Sequence, residues 1–493
     1  MDIDRLVPMR WPCGPLAIER GERRGDLTSG ERECLELWSR PEALDLLDGT
    51  PVDALLVPWA GGSPNDDVHR GALAPLVAAA REGGLSVIGW VDAEADLGSA
   101  TAAARTAGLD ALATESAQAL AGFPVLRFRD RGFDGVSPGG FLGVTGNPWP
   151  GLKTSTAGTY DAWTGPTGPP WIDSNAWYVR LARDLVRPRT VWLWYDPDED
   201  EPAPDAAAYE QAVADTAVYG GRWVVSLDPE LRAGLSNGQT AARDTWDRLV
   251  RALVFFEEHR DWAAWRPAGP LGVLSDYAGD NEFVSFEVAN LLSRRNVPYR
   301  VLEKHRAQET PLDDLAMVLY LDSTSPEPDL ARTLLAFAEE GGTLITPPGW
   351  PGQDSREDVP SYPGFRISRR GDGRVAVARD LLVDPFFVVE SAFGLTRHAR
   401  DLFRVFNPGV SQFHYVARED GRSAVLHVLR HSQRAFETTT SVWFRRPWAS
   451  ARRWELGPGT PAPAEREPKP PGAEFHLPAV SVYCALEVSA GDE

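Results

Sequence analysis

Residues 1–262 alternate between short apolar runs and helix-like segments, and this alternation constrains the fold more than any other feature. Short apolar runs bounded by turn residues predict buried strands, and apolar residues at helical spacing predict amphipathic helices. The predicted helices are 31–47, 68–81, 99–107, 176–186, 205–219 and 241–258. The predicted strands are 15–19, 53–58, 85–91, 109–113, 123–128, 140–145, 190–195 and 222–227.

Strands that alternate with helices pair in parallel through right-handed crossovers. Eight such strands within about 250 residues are typical of a (β/α)8 barrel. The sequence therefore predicts an α/β fold that opens with a TIM-like barrel over residues 1–265.

The rest of the chain predicts two further domains. Residues 266–380 read as a small doubly wound α/β domain, in which 351–380 is a linker or insertion rich in Pro, Gly, Asp and Arg. Residues 381–493 turn β-rich, with strands predicted at 412–417, 423–429, 438–444 and 480–488 and a Pro-rich loop at 458–471. This pattern predicts a C-terminal β-sandwich.

The charge balance argues against several classes of partner. Lysine and arginine number 50 and aspartate and glutamate 71, which gives a net charge of −21. An acidic surface repels phosphate backbones and anionic lipid, so we expect neither nucleic acid nor a membrane as a partner. Apolar runs fall short of the roughly 20 residues that a membrane helix needs.

Cysteine and histidine usage predicts a cytoplasmic protein without a metal or another cofactor. The three cysteines, Cys13, Cys34 and Cys484, are scattered and form no CxxC motif. The eight histidines show no HxH or HExxH spacing. No GxGxxG opens the first helix of the α/β domain, and no GxSxG is present.

Several predicted strands end on carboxylates, and barrel enzymes place their chemistry at such strand ends. The four candidates are Asp92, Glu115, Asp196 and Asp228. Asp228 precedes Pro229, which predicts a helix N-cap with proline at the first helical position.

Aromatic and polar residues near the same strand ends are candidates for substrate binding. Tryptophan stacks on the apolar faces of sugars and can still donate its N–H. Asp92 can bond a sugar hydroxyl. Arg127 and Lys153 either bind a carboxylate or charged sugar or serve as solvated charges or salt-bridge partners, and Asp173 and Asn175 either hold substrate or cap the helix 176–186. The full set is Asp92, Arg127, Trp149, Lys153, Trp171, Asp173, Asn175 and Trp194.

The order of domains resembles GH42-type β-galactosidases and related glycoside hydrolases. The segments that carry the resemblance are LGVLSD from Leu271, VANLL from Val288, NVPYRV from Asn296 and LAFAEEGGTLI from Leu335. They look like the glutamine-amidotransferase-like trimerisation domain of that family. The resemblance implies a carbohydrate substrate and a homo-oligomer formed through residues 268–350.

The barrel departs from the family pattern where the chemistry would lie. Such barrels usually carry an Asn-Glu pair after strand four and a Glu after strand seven, whereas this chain has Thr114-Glu115 and Asp196. By position Glu115 is the candidate acid and Asp196 the candidate nucleophile or base of a paired-carboxylate mechanism. The alternatives are a helix-capping region for Glu115 and an Asp-Pro turn for Asp196.

Three functions follow, of which the first two belong to different classes. The first is a glycoside hydrolase that cleaves O-glycosidic bonds of a small oligosaccharide or glycoside. The second is a non-catalytic carbohydrate-binding or scaffold protein on a degenerate glycosidase frame, which the missing Asn-Glu pair favours. A third is another sugar-active barrel enzyme, such as a lyase or transferase.

Overall fold

The structure is a computed structural model of the chain. It describes residues 2–25, 27–118, 122–130, 132–133, 136, 139–152, 172–197, 202–350, 362–396, 401–431, 439–457 and 459–491. The chain forms two compact units, Met1–Trp149 with Val186–Arg260 and Pro150–Leu185 with Asp261–Glu493. No helix within the described ranges combines the length and apolar content that crossing a membrane requires.

Eight parallel strands of the first unit form a barrel, as predicted. In sheet order they are β1 (Pro8–Arg10), β2 (Ala54–Ala60), β3 (Ser86–Val91), β4 (Ala111–Thr114), β5 (Val125–Asp130), β6 (Leu142–Thr145), β7 (Val191–Leu193) and β8 (Gly221–Trp223). A parallel bridge between Met9 and Val225 joins the last strand to the first. The Arg10 N–H donates to Val225 and the Val225 N–H donates to Pro8, both at 2.9 Å.

Helices connect most of these strands. In chain order they are Gly14–Arg24, Ser29–Leu37, Asp66–Glu82, Leu97–Ala107, Ala206–Ala217, Pro229–Ser236 and Thr240–Glu258. Asp228 accepts hydrogen bonds from Glu230 and Leu231 at the start of its helix, so the N-cap prediction is confirmed.

The predicted first strand, 15–19, is wrong. That segment belongs to the helix Gly14–Arg24, in which Pro15 occupies the first turn, where a helix tolerates a residue without an N–H. The true first strand, Pro8–Arg10, has three residues. A run that short shows no periodicity in the sequence, which is why it was missed.

Alternate side chains of the strands fill the barrel. The buried interior residues are Leu6, Ala54, Leu56, Ile88, Ala111, Ala113, Leu126, Phe128, Trp192 and Val224. Trp194 and Trp90 pack against this core from one end. Gly143 lets β6 approach Phe128, because a Cβ at that glycine would lie 2.6 Å from the phenyl ring. In the barrel interior the large Phe128 side chain therefore packs against a glycine that leaves room for it.

The second unit contains a six-stranded sheet covered by helices. The strands, in sheet order, are Tyr299–Glu303, Leu271–Ser275, Met317–Tyr320, Thr343–Thr346, Gly373–Ala378 and Phe365–Arg370. All neighbours pair in parallel except the last two, which form an antiparallel hairpin. Three helices belong to this part of the chain: Glu282–Arg294, Pro328–Glu339 and Pro385–Leu395.

The prediction of a linker at 351–380 is therefore wrong for its second part. Residues 365–378 form two sheet strands, with Phe365, Ile367, Val375 and Val377 buried at alternate positions. Gly371, at φ 55°, occupies the turn between them. Within this second part, Gly371 belongs to the turn, and Arg366 and Arg369 belong to the exposed side of an edge strand.

The C-terminal part contains two antiparallel sheets that share one apolar core, which is the predicted sandwich. One comprises Arg266–Pro267, Ser411–Ala417, Ser423–Arg430, Tyr483–Ser489, Ser450–Glu455 and Ala462–Pro463; the other comprises Phe403–Phe406, Thr440–Phe444, Gly472–Leu477 and Glu465–Lys469. The prediction of a loop at 458–471 is wrong, because two of these strands lie within it. Both are edge strands, where proline is tolerated.

The two remaining strands of the described residues belong to the second unit. Gly151–Leu152 and Ile172–Asp173 pair as an antiparallel two-residue ladder, followed by the helix Ala176–Val186. The bounds of that helix agree with the prediction.

Candidate active site

A cavity of about 570 Å³ lies at the carboxyl ends of the barrel strands. Its volume falls in the range of about 300–1,000 Å³ that small-molecule sites occupy. Side chains from the ends of most barrel strands line it, together with residues of the helices Gly14–Arg24, Ser29–Leu37 and Pro229–Ser236. Of the sequence-predicted site residues, Glu115, Asp196 and Trp194 meet there.

Asp196 lies just beyond β7 and is held by two strand-end neighbours. The Arg10 guanidinium donates to Oδ2 of Asp196 and forms an ion pair with it. Trp194 donates its indole N–H to the same oxygen at 3.3 Å. Desolvation by the surrounding side chains raises the pKa of the Asp196 carboxyl, but the charge and hydrogen bond of Arg10, together with the hydrogen bonds of Ser226 and Trp194, hold that pKa below its ordinary value. The carboxylate is therefore ionised at neutral pH.

Glu115 lies one residue beyond β4, and its carboxylate accepts a hydrogen bond from the Thr145 hydroxyl at 2.6 Å. Thr145 is the last residue of β6, and its Oγ also lies 3.3 Å from the Arg129 carbonyl oxygen. Glu115 is exposed to the cavity.

Arg127 stabilises the loop that carries Glu115. Its guanidinium donates to the backbone carbonyls of Ser116 and Gln118, and it does not line the cavity. Burial lowers the pKa of Arg127. Arg127 therefore positions the loop that carries Glu115 and does not contact the cavity.

Asp92 bonds two cavity-lining side chains instead of facing the cavity itself. Arg20 donates to one carboxylate oxygen at 2.6 Å, and the Trp90 indole N–H donates to the other at 3.2 Å. Trp90 packs edge-on against Trp194, with ring centroids 4.4 Å apart. Arg10 lies over the Trp194 ring, 5.0 Å from its centroid. The two indoles form an aromatic wall fixed at its polar ends.

Trp149 packs away from the cavity lining. Its ring makes edge-on contacts with Tyr195, Tyr209 and Trp223 at 5.4–5.7 Å. The Tyr209 hydroxyl in turn donates to Asp228 at 2.6 Å. Asp228 lines the cavity, but both of its carboxylate oxygens already accept hydrogen bonds. Oδ1 accepts from the backbone N–H groups of Glu230 and Leu231, and Oδ2 accepts from Tyr209.

Two donors of the cavity lining have no hydrogen-bond partner among the described residues. These are Nδ2 of Asn147, which follows β6, and Nε of Arg232, on the helix Pro229–Ser236. Both atoms are buried. Buried polar groups are normally paired, so unpaired donors at a cavity call for acceptor atoms from a ligand.

The other predicted site residues lie elsewhere. Lys153 and Trp171 fall outside the described residues. Asp173 and Asn175 belong to the second unit, before the helix Ala176–Val186, and Asn175 is buried.

One group of metal-ligand side chains occurs in the described ranges, and it is in the C-terminal part. It comprises Glu467, Glu474 and His476. The Lys469 ammonium lies 2.8 Å from Glu474 and 3.2 Å from Glu467, so a cation already neutralises these carboxylates.

Sequence reasoning missed Arg10, Arg20, Asn147 and Arg232. Arg10 ends the strand that was assigned elsewhere, and Asn147 stands in a Gly-Asn-Pro loop directly after a predicted strand. That position was a usable signal for Asn147. Arg20 and Arg232 lie on helices, where the sequence gives no sign of a cavity.

No protein-family model matches the chain, and no curated protein matches it in sequence. Among solved structures, an α-L-fucosidase isoenzyme 2 from Paenibacillus thiaminolyticus matches at 10% identity with a TM-score of 0.60, covering 99% of this chain and 100% of that one. This chain has the fold of that fucosidase from end to end. The glycoside-hydrolase architecture expected from the sequence is therefore confirmed at the level of the fold.

Two further structures match less closely. A catalytic mutant of a GH42 β-galactosidase from G. stearothermophilus has a TM-score of 0.44 at 9% identity, covering 86% of this chain and 67% of that one. An exo-β-1,4-mannosidase from Opitutaceae bacterium strain TAV5 has a TM-score of 0.46 at 13% identity, covering 78% and 93%.

Proposed function

We propose that the chain is a glycoside hydrolase whose catalytic carboxylates are Glu115 and Asp196. The observation that carries this proposal is that both carboxylates line one cavity at the carboxyl ends of the barrel strands. Cleavage of a glycosidic bond needs two carboxyl groups, one on each side of the scissile bond. The fold shared with the fucosidase supports the same reaction class.

Asp196 suits the nucleophile or base. Its pKa is held low, so the carboxylate carries the negative charge that either role needs. The indole N–H of Trp194 and the guanidinium of Arg10 orient the carboxylate.

Glu115 suits the acid, which must hold a proton. The Thr145 hydroxyl has a single proton and two acceptors in reach, Glu115 and the Arg129 carbonyl. When Thr145 donates to the Arg129 carbonyl, the Thr145 oxygen can accept a hydrogen bond from the O–H of a neutral Glu115. The same contacts therefore accommodate both protonation states of Glu115 in a catalytic cycle.

A sugar ring would be bound by the aromatic wall and by Asn147. Trp90 and Trp194 both line the cavity, and Nδ2 of Asn147 has no acceptor among the described residues. A sugar supplies both an apolar C–H face and hydroxyl oxygens.

A second function is favoured by the ion pair at Asp196. A carboxylate that is already paired with Arg10 serves as a structural anchor, and the cavity would then bind a carbohydrate without cleaving it. The missing Asn-Glu pair after β4 points the same way.

Hydrolysis of a panel of aryl glycosides, with an α-L-fucoside included, separates the two. The proteins are wild type, Glu115→Gln and Asp196→Asn, with Glu82→Gln and Asp244→Asn as exposed controls outside the lining of this cavity. General acid–base catalysis contributes about 10²- to 10⁴-fold, so each site variant should lose at least ~100-fold in kcat while the controls keep wild-type rates. Binding of a glycoside without hydrolysis by wild type would favour the second function.

We also propose that residues 268–350 mediate self-association, in a cytoplasmic protein. Phe283 is exposed on the helix Glu282–Arg294 of this segment, and Phe393 is exposed on the helix Pro385–Leu395, which lies outside 268–350 and packs against Glu282–Arg294. Exposed aromatic side chains on adjoining helices are typical of association surfaces. All three cysteines are free and buried, in keeping with a reducing compartment. Light scattering that shows a monomer at micromolar concentration would contradict the association.

A further inference from the structure

Arg232 has no partner within the part of the chain that the structure describes. Its side chain lines the cavity, its Nε is buried without a hydrogen bond, and it forms no ion pair there. Removing this N–H from water without pairing it costs free energy, because the lost hydration is not replaced. The two Nη groups are not fully buried and have no protein partner among the described residues, so a ligand in the cavity can supply the oxygen acceptors that pair the guanidinium charge.

The nearby carboxylates are engaged elsewhere. Glu31 accepts from the backbone and hydroxyl of Thr28 in a capping box, and Asp228 caps its own helix and accepts from Tyr209. Both lie close enough to Arg232 to favour its charged form, although burial has the larger effect and lowers its pKa. Neither neutralises it by contact.

The other cavity arginines with a defined partner are already paired. Arg10 forms an ion pair with Asp196, and Arg20 forms one with Asp92. Arg232 is therefore the cation of this cavity that remains to be matched, and Asn147 supplies a second donor on the same lining.

We propose that the cavity binds a glycoside that bears an anionic group, a carboxylate or a sulfate ester, placed against Arg232. The proposal rests on the proposed function, because it names the substrate class of the same site. The net charge of −21 does not oppose it, since charges on the rest of the surface are screened beyond about 8 Å at physiological ionic strength. The planar guanidinium fits two oxygens of such a group at once.

Calorimetric binding of free sugars tests the proposal without requiring hydrolysis. The probes are D-glucuronate, D-galacturonate and galactose 6-sulfate, compared with D-glucose and D-galactose, which together present both anomers. A hydrogen bond to a charged group changes affinity by about 10- to 100-fold, so wild type should bind an anionic probe at least ~10-fold more tightly than its neutral parent. Preference for the sulfate over the uronates would identify the sulfate ester as the group bound.

Arg232→Gln should abolish this preference and leave neutral-sugar affinity within about twofold. Its melting temperature should not fall, because the replaced group has no hydrogen bond to lose. Arg243→Gln, on the exposed face of the helix Thr240–Glu258, is the matched control and should behave as wild type.

Equal affinity for charged and neutral sugars, a preference that survives Arg232→Gln, or no binding of any probe would overturn the proposal. Tighter binding of the anionic sugars without hydrolysis of any glycoside would support the anionic ligand and contradict the proposed catalysis. Hydrolysis of neutral glycosides without tighter binding of the anionic sugars would support the catalysis and contradict the anionic ligand.

Discussion

Replacing Arg10 with glutamine should raise the pKa of Asp196 and move the acid limb of the rate profile to higher pH. The Arg10 and Asp196 side chains are 35% and 43% exposed, so solvent screens the pair. A pair of this kind contributes about 0.2–1 kcal/mol, and one pKa unit corresponds to about 1.4 kcal/mol. The expected rise is therefore about 0.1–0.7 of a pKa unit.

The same change should lower stability in a pH-dependent way. The pKa of Asp196 is depressed in the folded protein, so its stabilising contribution is present above the unfolded-state pKa, about 3.9, and is lost as pH falls through the lower folded pKa. Thermal unfolding should show Arg10→Gln below wild type at pH 7, with the two converging as pH falls below 3.9.

Arg189→Gln is the control, because it removes an ion pair with Asp4 that lies away from the cavity. It should leave the acid limb of kcat/KM in place. The electrostatic role of Arg10 would be refuted if Arg10→Gln lowered stability equally at pH 7 and below pH 3.9 and left the acid limb of the rate profile unmoved. Arg10 would then act through its packing on Trp194.

Three further changes test the fold and the support of the site. Gly143→Ala should destabilise the protein by about 1–3 kcal/mol, because the new Cβ would meet the phenyl ring of Phe128. Gly71→Ala is the control and should be neutral or stabilising, because Gly71 lies on a helix with open space around it. Equal melting temperatures of the two variants would contradict the packing argument. Asp228→Ala should lower the free energy of unfolding by about 1–3 kcal/mol in urea denaturation, because it removes a helix cap and the hydrogen-bond acceptor of the buried Tyr209 hydroxyl. Asp96→Ala removes only an exposed helix cap and should cost less. The opposite order would count against the buried role of Asp228. Arg127→Gln should lower kcat with little change in KM, because Arg127 holds the loop after β4 that carries Glu115. Amide hydrogen exchange in that loop should become faster. A raised KM alone would instead indicate that Arg127 contacts the substrate.

The elements that could be predicted are those whose signals are local. The bounds of the helix Ala176–Val186 followed from a run of capping residues before it and a proline after it. The strand Ser86–Val91, predicted at 85–91, followed from a short apolar run bounded by turn residues. By contrast, the strand Pro8–Arg10 owes its state to pairing with Ala54–Ala60 and to the bridge that joins the barrel ends. Such pairing is a tertiary effect that three residues cannot signal.

The site was predictable in part for the same reason. Parallel strands end at the same edge of a barrel, so carboxylates that follow strands, such as Glu115 and Asp196, were expected to converge. The role of Arg127 and Asp92 depends on which groups they meet in the folded chain. Asp92 bonds Arg20, which is distant in sequence, and Arg127 folds back onto the backbone carbonyls of Ser116 and Gln118. The missing partner of Arg232 is likewise a property of the folded surroundings.

The central claim is that Glu115 and Asp196 act together in one reaction, and a double-mutant cycle on kcat tests it most directly. The proteins are wild type, Glu115→Gln, Asp196→Asn and the double variant, assayed on the best aryl glycoside of the panel. Groups that act as a unit are strongly non-additive, so each single change should cost at least ~100-fold and the double change no more than about tenfold further. Near-wild-type kcat in either single variant of a folded protein would contradict the claim, as would losses that multiply in the double variant.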